Sequence, residues 1–311
     1  MTSLRRQLLP FLCLLVVSTE SPGGQQVAFQ SESDAVVITV DGLPVARYVY
    51  SDPAIPRPYF ADVKVPGGRQ VTRNHPPIEG TDAIDHASMH PGIWLAFGDL
   101  SGNDFWRNKA SVVHAGFVQE PEGGDGRGSF VEEKRYLRPD GSMICREEFS
   151  LTVIVRDDGY LLVWDSTFRS DTEFHFGDQE EMGLGFRVAT PISEVRGGRL
   201  SDSERRSGAD NIWGNAAAWC DYSGNVDGQT IGITVMCHPG NFRPSWMHAR
   251  NYGLVVANPF GRQAMKKGDV SKVTVRPGEE LRLRYGIWLH GGDLPAERTP
   301  DDVFSEYRSI P

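Results

Sequence analysis

From Ala35 onward the chain is cut into short runs rich in β-branched and aromatic residues, separated at near-regular spacing by turn signals. This pattern constrains the fold more tightly than any compositional figure, because repeated short strands with turns between them specify a sandwich or a barrel. Val36 to Val40 and Val45 to Tyr50 flank Asp41-Gly42, and Ser111 to Gln119 and Ser129 to Leu137 flank the glycine-rich stretch from Gly123 to Gly128. Cys145 to Val155, Tyr160 to Arg169 and Glu173 to Phe176 follow, with Asp140-Gly141 and Asp158-Gly159 supplying the positive backbone angles of tight hairpins. Ala216 to Tyr222, Thr230 to Cys237, Tyr252 to Ala257, Ser271 to Val275 and Glu280 to Leu289 continue the series. Short connections make antiparallel pairing the default, since parallel neighbours need long crossovers. One helix is well signalled near the C-terminus: Thr299 as N-cap, Pro300 at the first helical position, Asp302 completing the cap, and Val303, Phe304 and Tyr307 as an apolar side. The polar segment from Gly197 to Asp210 is expected to be an exposed loop.

The N-terminus differs from the rest. Arg5 and Arg6 precede an apolar run from Leu8 to Val17 and then small and polar residues, the layout of a secretory signal peptide. The expectation is a signal peptide over 1–21 and a single β-sandwich domain over 22–311, placing the protein in a secreted or periplasmic setting. No second apolar stretch is long enough to span a bilayer, so stable membrane insertion after signal removal is not expected. With 32 basic against 41 acidic residues and no basic cluster, nucleic acid is a poor partner. Cys145, Cys220 and Cys237 show no zinc-type spacing. Cys220 and Cys237 flank a hairpin and either face each other or stay as buried thiols.

Four stretches carry more polar and aromatic residues than strand packing requires. In Asp85 to Trp94, His86 and His90 are four residues apart and so share a side of a turn or strand; Pro91 favours a loop or extended segment. They suit a metal pair, an acid/base pair or a plain loop. In Asp178 to Arg187, an extended backbone puts Glu181, Gly183, Gly185 and Arg187 on one side, with the glycines leaving room above the sheet, and Met182, Leu184, Phe186 and Val188 on the core side. Glu181 and Arg187 are then either functional groups or an ion pair. In Cys237 to Tyr252, the period-two series Trp246, His248, Arg250 and Tyr252 aligns an aromatic platform, an imidazole, a guanidinium and a phenol, beside His238 and Asn241 in a Pro-Gly turn. Such a face suits a polyhydroxylated ligand, or is an aromatic ladder with a cation–π contact. Asn258-Pro259-Phe260-Gly261 reads as a turn that fixes loop geometry.

Pro58-Tyr59-Phe60, Asp85 to Trp106, Gly183 to Ala189, His238-Pro239-Gly240-Asn241, the Trp-x-x-x-Arg-x-Tyr-Gly element from Trp246, and Asn258-Pro259-Phe260-Gly261 together resemble a bacterial family of unknown function that carries the label "methane oxygenase PmoA". The resemblance covers most of the chain after its first residues. It implies a galactose-mutarotase-like supersandwich, an all-β, large antiparallel β-sandwich, and an association with carbohydrate degradation. It does not sit with a membrane copper enzyme, which needs apolar spans that this chain lacks. By that resemblance and by residue type, the expected function is an exported carbohydrate-active protein binding a sugar on the concave sheet face, with acid/base chemistry of epimerase, lyase or hydrolase type. Glu181 is the expected general base and His238 or His90 the general acid; His86, Arg187, Asn241, Trp246, His248 and Arg250 are the expected binders. No cofactor is implied. The alternatives are a non-catalytic glycan-binding module and a metal enzyme built on His86 and His90.

Overall fold

The computed structural model describes residues 25–292 and 298–311. The expected signal peptide lies outside them. Two eight-stranded antiparallel sheets face each other. The first runs, in spatial order, Val27–Ser31, Ala35–Val40, Leu43–Val49, Tyr59–Ala61, Ile93–Phe97, Met182–Arg187, Leu254–Asn258 and Trp246–Arg250. The second runs Arg199–Asp202, Trp219–Val226, Gln229–Cys237, Leu281–Gly291, Gly159–Arg169, Met143–Arg156, Arg127–Leu137 and Ser111–Glu122. A short pair, Phe174–Phe176 with Val273–Val275, stands apart.

Alternation along each strand builds the core between the sheets. Ile93, Leu95 and Phe97 point inward with Met182, Leu184 and Phe186, and meet Leu151, Trp164, Leu283 and Tyr285 from the opposite sheet. Burying each such side chain is worth about 1.5–3 kcal/mol against leaving it in water, which is how a sheet pattern becomes a stable two-layer fold. The hairpin at Asp41-Gly42 turns on positive φ at both residues, 50° and 77°, as an aspartate-glycine step allows. At the C-terminus, Pro300–Tyr307 is helical and closes the expected capping box between Thr299 and Asp302. The helix lays Val303 and Tyr307 on the outer face of the second sheet, against Trp219, Met236 and Trp288. Gly286 lies under Tyr307, where a Cβ would sit 2.9 Å from the ring.

Residues 197–210 differ from expectation. Arg199–Asp202 is an edge strand paired with Trp219–Val226, and its Leu200 is fully buried. One apolar residue in four gives no alternation to read, which is why the strand is invisible in the sequence. Cys145, Cys220 and Cys237 are buried free thiols, and Cys220 stands opposite Val235 in the register rather than opposite Cys237. Among the described residues no helix is long and apolar enough to cross a membrane.

Candidate functional site

The residues singled out near 90, 181 and 248 arrive on adjacent strands of the first sheet, on its outer face. Ile93–Phe97 pairs with Met182–Arg187, which pairs with Leu254–Asn258, which pairs with Trp246–Arg250. Period-two alternation sends Trp94, Gly185, Arg187, Val256, His248 and Arg250 outward, as their core-facing neighbours require. The glycines do not leave open room. Trp94 lies over Gly185, where a Cβ would stand 3.1 Å from the indole, and Gly183 is pressed against the Ala257 carbonyl at φ 117°.

A long segment between Tyr59–Ala61 and Ile93–Phe97 crosses this face, held by two buried arginines that spend their donors on main-chain carbonyls. Arg57 donates to Met89, Phe105 and Trp106, and Arg73 to Ala83, Asp85 and His90. Burial is the main reason both cations are pulled down, to about 9 and about 10, with Arg187 adding to the effect on Arg73.

That crossing brings Asp85 over Arg187. The buried guanidinium donates to both carboxylate oxygens at 2.9 and 3.0 Å, and the same carboxylate accepts the His86 Nδ1 hydrogen bond at 2.7 Å. Partial burial works to raise the Asp85 pKa, but the hydrogen bonds from Arg187 and His86 outweigh it and hold the carboxyl far below its usual range. His86 is 44% exposed and sits at φ 51°, a conformation uncommon outside glycine and more frequent at functional turns. Its Nδ1 is committed to Asp85, so Nε2 is the free nitrogen. Its ring stacks with His90, at 4.9 Å, and lies near-parallel to Tyr252, at 6.3 Å, while Arg187 lies 4.3 Å over the Tyr252 ring.

His90 is not the proton donor expected of it. It is 4% exposed, stacked on Trp94 at 5.1 Å, and burial followed by the charge of Arg187 pushes its pKa far below the ordinary histidine value. A neutral buried imidazole has no proton to give near neutral pH. Nor do His86 and His90 form a metal pair: their rings are nearly parallel, so the nitrogens do not converge, and among the described residues no three His, Cys, Asp or Glu side chains gather as ligands.

Glu180 and Glu181 stand at the bend that leads into Met182–Arg187. Glu181 pairs not with Arg187 but with Arg107, at 2.7 Å. Glu180, which the sequence reading passed over, takes the Arg250 guanidinium at 2.9 Å and lies 3.3 Å from His248 Nδ1, though out of line for a good hydrogen bond with it. His248 is the largest influence lowering the Glu180 pKa; burial opposes it and Arg250 reinforces it. The bend is pinned by Asn258, whose amide donates to the carbonyls of Gln179 and Glu180 and whose oxygen accepts from Phe260 and Gly261. The Asn-Pro-Phe-Gly turn thus fixes loop geometry. Tyr252 ties the two halves together: burial raises its pKa, Arg187 and Arg250 oppose that, and Asp85 and Glu181 add to it.

His238 and Asn241 do not join this face. They belong to the outer side of the second sheet, where His238 meets Arg284 at 3.2 Å and the edge of Tyr307, and Asn241 brackets the Arg284 main chain with two hydrogen bonds. Burial and the charge of Arg284 lower the His238 pKa. Trp246 is half-buried at the margin, with Arg243 5.9 Å from its ring. The residues that sequence reasoning missed, Arg107 and Glu180 as well as the anchor Asp85, are charged groups on turns. Only Asp85 carried a signal, its adjacency to His86.

Several solved structures are similar at low identity. A galactose mutarotase-like protein from Lactobacillus casei ATCC 334 is 11% identical, with 85% of this chain and 100% of that one covered and a TM-score of 0.37. A heparinase III is 10% identical with a TM-score of 0.37, covering 88% of this chain, which spans 35% of that protein's length. A chain from the human microbiome provisionally named kojibiose phosphorylase is 8% identical with a TM-score of 0.34, covering 66% of this chain, which spans 26% of that one. Similarity this slight says nothing about chemistry. No match was found among curated protein sequences. The methane-oxygenase label has no support in any of these comparisons. One family model does match, over residues 35–303, and by that match the chain belongs to DUF6807, a family of unknown function.

Proposed function

We propose that the protein is an exported carbohydrate-active protein that holds a sugar on the outer face of the first sheet, with His86 as its acid/base group. The observation that carries this reading is the Asp85–His86 pair: an exposed imidazole fixed by a carboxylate that is itself clamped by the buried Arg187. Tyr252 beside it offers a ring for stacking, and Arg107, Glu181, Glu180 and Arg250 border the same surface with oriented donors and acceptors. In such chemistry a sugar hydroxyl gives its proton to Nε2 of His86, and the imidazolium, steadied by Asp85, returns a proton to the departing or ring oxygen. His86 takes the role first expected of His90 or His238. Glu181 stays as the carboxylate on the far side of Tyr252, oriented by Arg107.

The test is anomeric exchange and product analysis by NMR on a panel of monosaccharides and oligosaccharides, with calorimetry alongside. Conversion that disappears in His86→Gln while binding persists supports the reading; full turnover in that variant ends it, and full turnover in Glu181→Gln removes the role of Glu181. A second reading is favoured by one specific feature: Asp85, Glu180 and Glu181 are each paired to an arginine. Paired carboxylates recognise hydroxyls well and transfer protons poorly, so binding without conversion identifies a glycan-binding module.

A further inference from the structure

Another imidazole–carboxylate pair lies where the edge strand of the second sheet meets the first sheet. Glu132 is fully buried, and its neighbours Phe130 and Tyr136 on the same side of the strand belong to the core. A carboxylate in that position is costly unless every lone pair is used. Here one oxygen accepts the Tyr48 hydroxyl and the other the His114 Nδ1 hydrogen bond at 2.6 Å. A core needing only to close would place an apolar residue at 132. His114 is stacked on Tyr50 at 4.3 Å, and its strand carries register shifts on either side of Gly116, the kind of irregularity that re-aims side chains at sheet edges.

His114 lines a cleft of about 410 Å³, within the range of about 300–1,000 Å³ typical of small-molecule sites. Nδ1 is committed to Glu132, and Nε2 is left without a protein partner and is not sealed from solvent. Ser33, Ser51 and Ser111 also line the cleft, and among the described residues their hydroxyls have no hydrogen-bond partner. Its two charged residues make most of their hydrogen bonds to the protein, with only the buried Nε of Arg57 left without a partner among the described residues. Asp52 accepts from the Tyr59 hydroxyl and from the main-chain N–H of Ala54 and Ile55, and Arg57 is spent on carbonyls and Asn108. With both Asp52 oxygens and the terminal nitrogens of Arg57 turned to protein partners, and with apolar walls from Ile55, Pro56 and Val112, the cleft suits a neutral ring bearing hydroxyls.

We infer that this cleft is a second ligand site, separate from the Asp85–His86 face, which takes a neutral polyhydroxylated ring of monosaccharide size with one hydroxyl donating to His114 Nε2. Glu132 is a positioning residue: it fixes which nitrogen of His114 accepts. The amide variant makes that role visible. In Glu132→Gln the side-chain oxygen still accepts from Tyr48, but the NH₂ donates to Nδ1 and drives the ring proton to Nε2, turning the acceptor into a donor.

The experiment follows the histidine ring ¹H, ¹³C and ¹⁵N resonances of the intact protein during titration with glucose, galactose, xylose and glycerol to about 100 mM, a hundredfold above the dissociation constant of a millimolar site. The expected result is a saturable shift of the His114 ring with at least one cyclic sugar and none with glycerol. That shift should vanish in Val113→Trp, which fills the cleft from its exposed wall without touching the pair, and weaken at least tenfold in Glu132→Gln, whose ¹⁵N pattern reports the inverted tautomer. No saturable shift at His114 overturns the inference, as does a shift that survives Val113→Trp. A response confined to His86 overturns it and leaves the proposed function standing; a response confined to His114 does the reverse.

Discussion

Two of the protein's histidine–carboxylate pairs, Asp85–His86 and Glu132–His114, are built on opposite plans. At Asp85–His86 the carboxylate is partly exposed and the buried group is a cation, Arg187, which must have a counter-charge. At Glu132–His114 the carboxylate itself is buried and its second partner is a neutral phenol, Tyr48. The first pair is therefore locked by charge and the second by hydrogen bonding. This difference decides what each tolerates. An ion pair with one buried member cannot lose its partner without leaving an uncompensated charge, whereas a hydrogen-bonded carboxylate can be replaced by any group offering the same acceptor.

The largest expected effect breaks the comparison directly. Asp85→Asn should destabilise the protein by about 2 kcal/mol, less than the roughly 3–5 kcal/mol of a fully buried pair because solvent reaches Asp85 and screens it. Glu132→Gln should cost under about 1 kcal/mol, since Tyr48 and His114 keep their partners. Urea unfolding of both variants checks this, and equal losses would mean that the two plans are not distinct. A next effect sharpens it through pH. His90, packed against the first pair, has a folded pKa depressed below its unfolded value near 6.5, so the stability it contributes is complete above that value and is lost as pH falls toward the folded pKa. The loss has a limiting slope of about 1.4 kcal/mol per pH unit. His90→Phe should flatten the unfolding free energy between about pH 6 and 4, and a slope unchanged from wild type would show that His90 is not held neutral. Asp85 acts in the same direction at lower pH, its contribution fading below the ordinary carboxylate range near 3.9.

How much of this was legible in the sequence depends on the kind of contact. The hairpins, the antiparallel sandwich and the capped C-terminal helix follow from local periodicity and turn chemistry, and they formed where residues such as Asp41-Gly42 and Thr299 to Asp302 placed them. The face bearing Arg187, His248 and Arg250 also follows, because parity along a strand is a local property. Parity does not say which sheet a strand joins. His238 and Asn241 sit only a few residues before Trp246 in sequence, yet they pack on the second sheet against Arg284. Partner choice was equally hidden: Arg187 meets Asp85 across 102 residues and Glu181 meets Arg107 across 74. The first pairing exists because the segment held by Arg73 crosses the sheet and the second because Arg57 holds the loop at Phe105 and Trp106, and carbonyl-bound arginines leave no periodic trace. The glycines misled for a related reason, since the space over Gly185 is taken by Trp94 from the neighbouring strand.

The smallest expected effect concerns Arg107, and it separates structure from chemistry on the first face. Arg107 and Glu181 are both partly exposed, so breaking their contact should change stability by no more than about 1 kcal/mol. Arg107 also reaches Asp104 at 3.2 Å, which fixes it as a strut between the loop that follows Ile93–Phe97 and the bend before Met182. If that strut only ties the segment down, Arg107→Ala should leave sugar binding and any turnover as they were. If instead it aims Glu181 at a ligand lying over Tyr252, the same variant should weaken binding severalfold while urea unfolding barely moves. Arg107→Lys, which keeps the charge but not the two-pronged geometry, should then recover only part of the loss. A variant that binds as wild type does would confine ligand recognition on this face to the Asp85–His86 side of Tyr252.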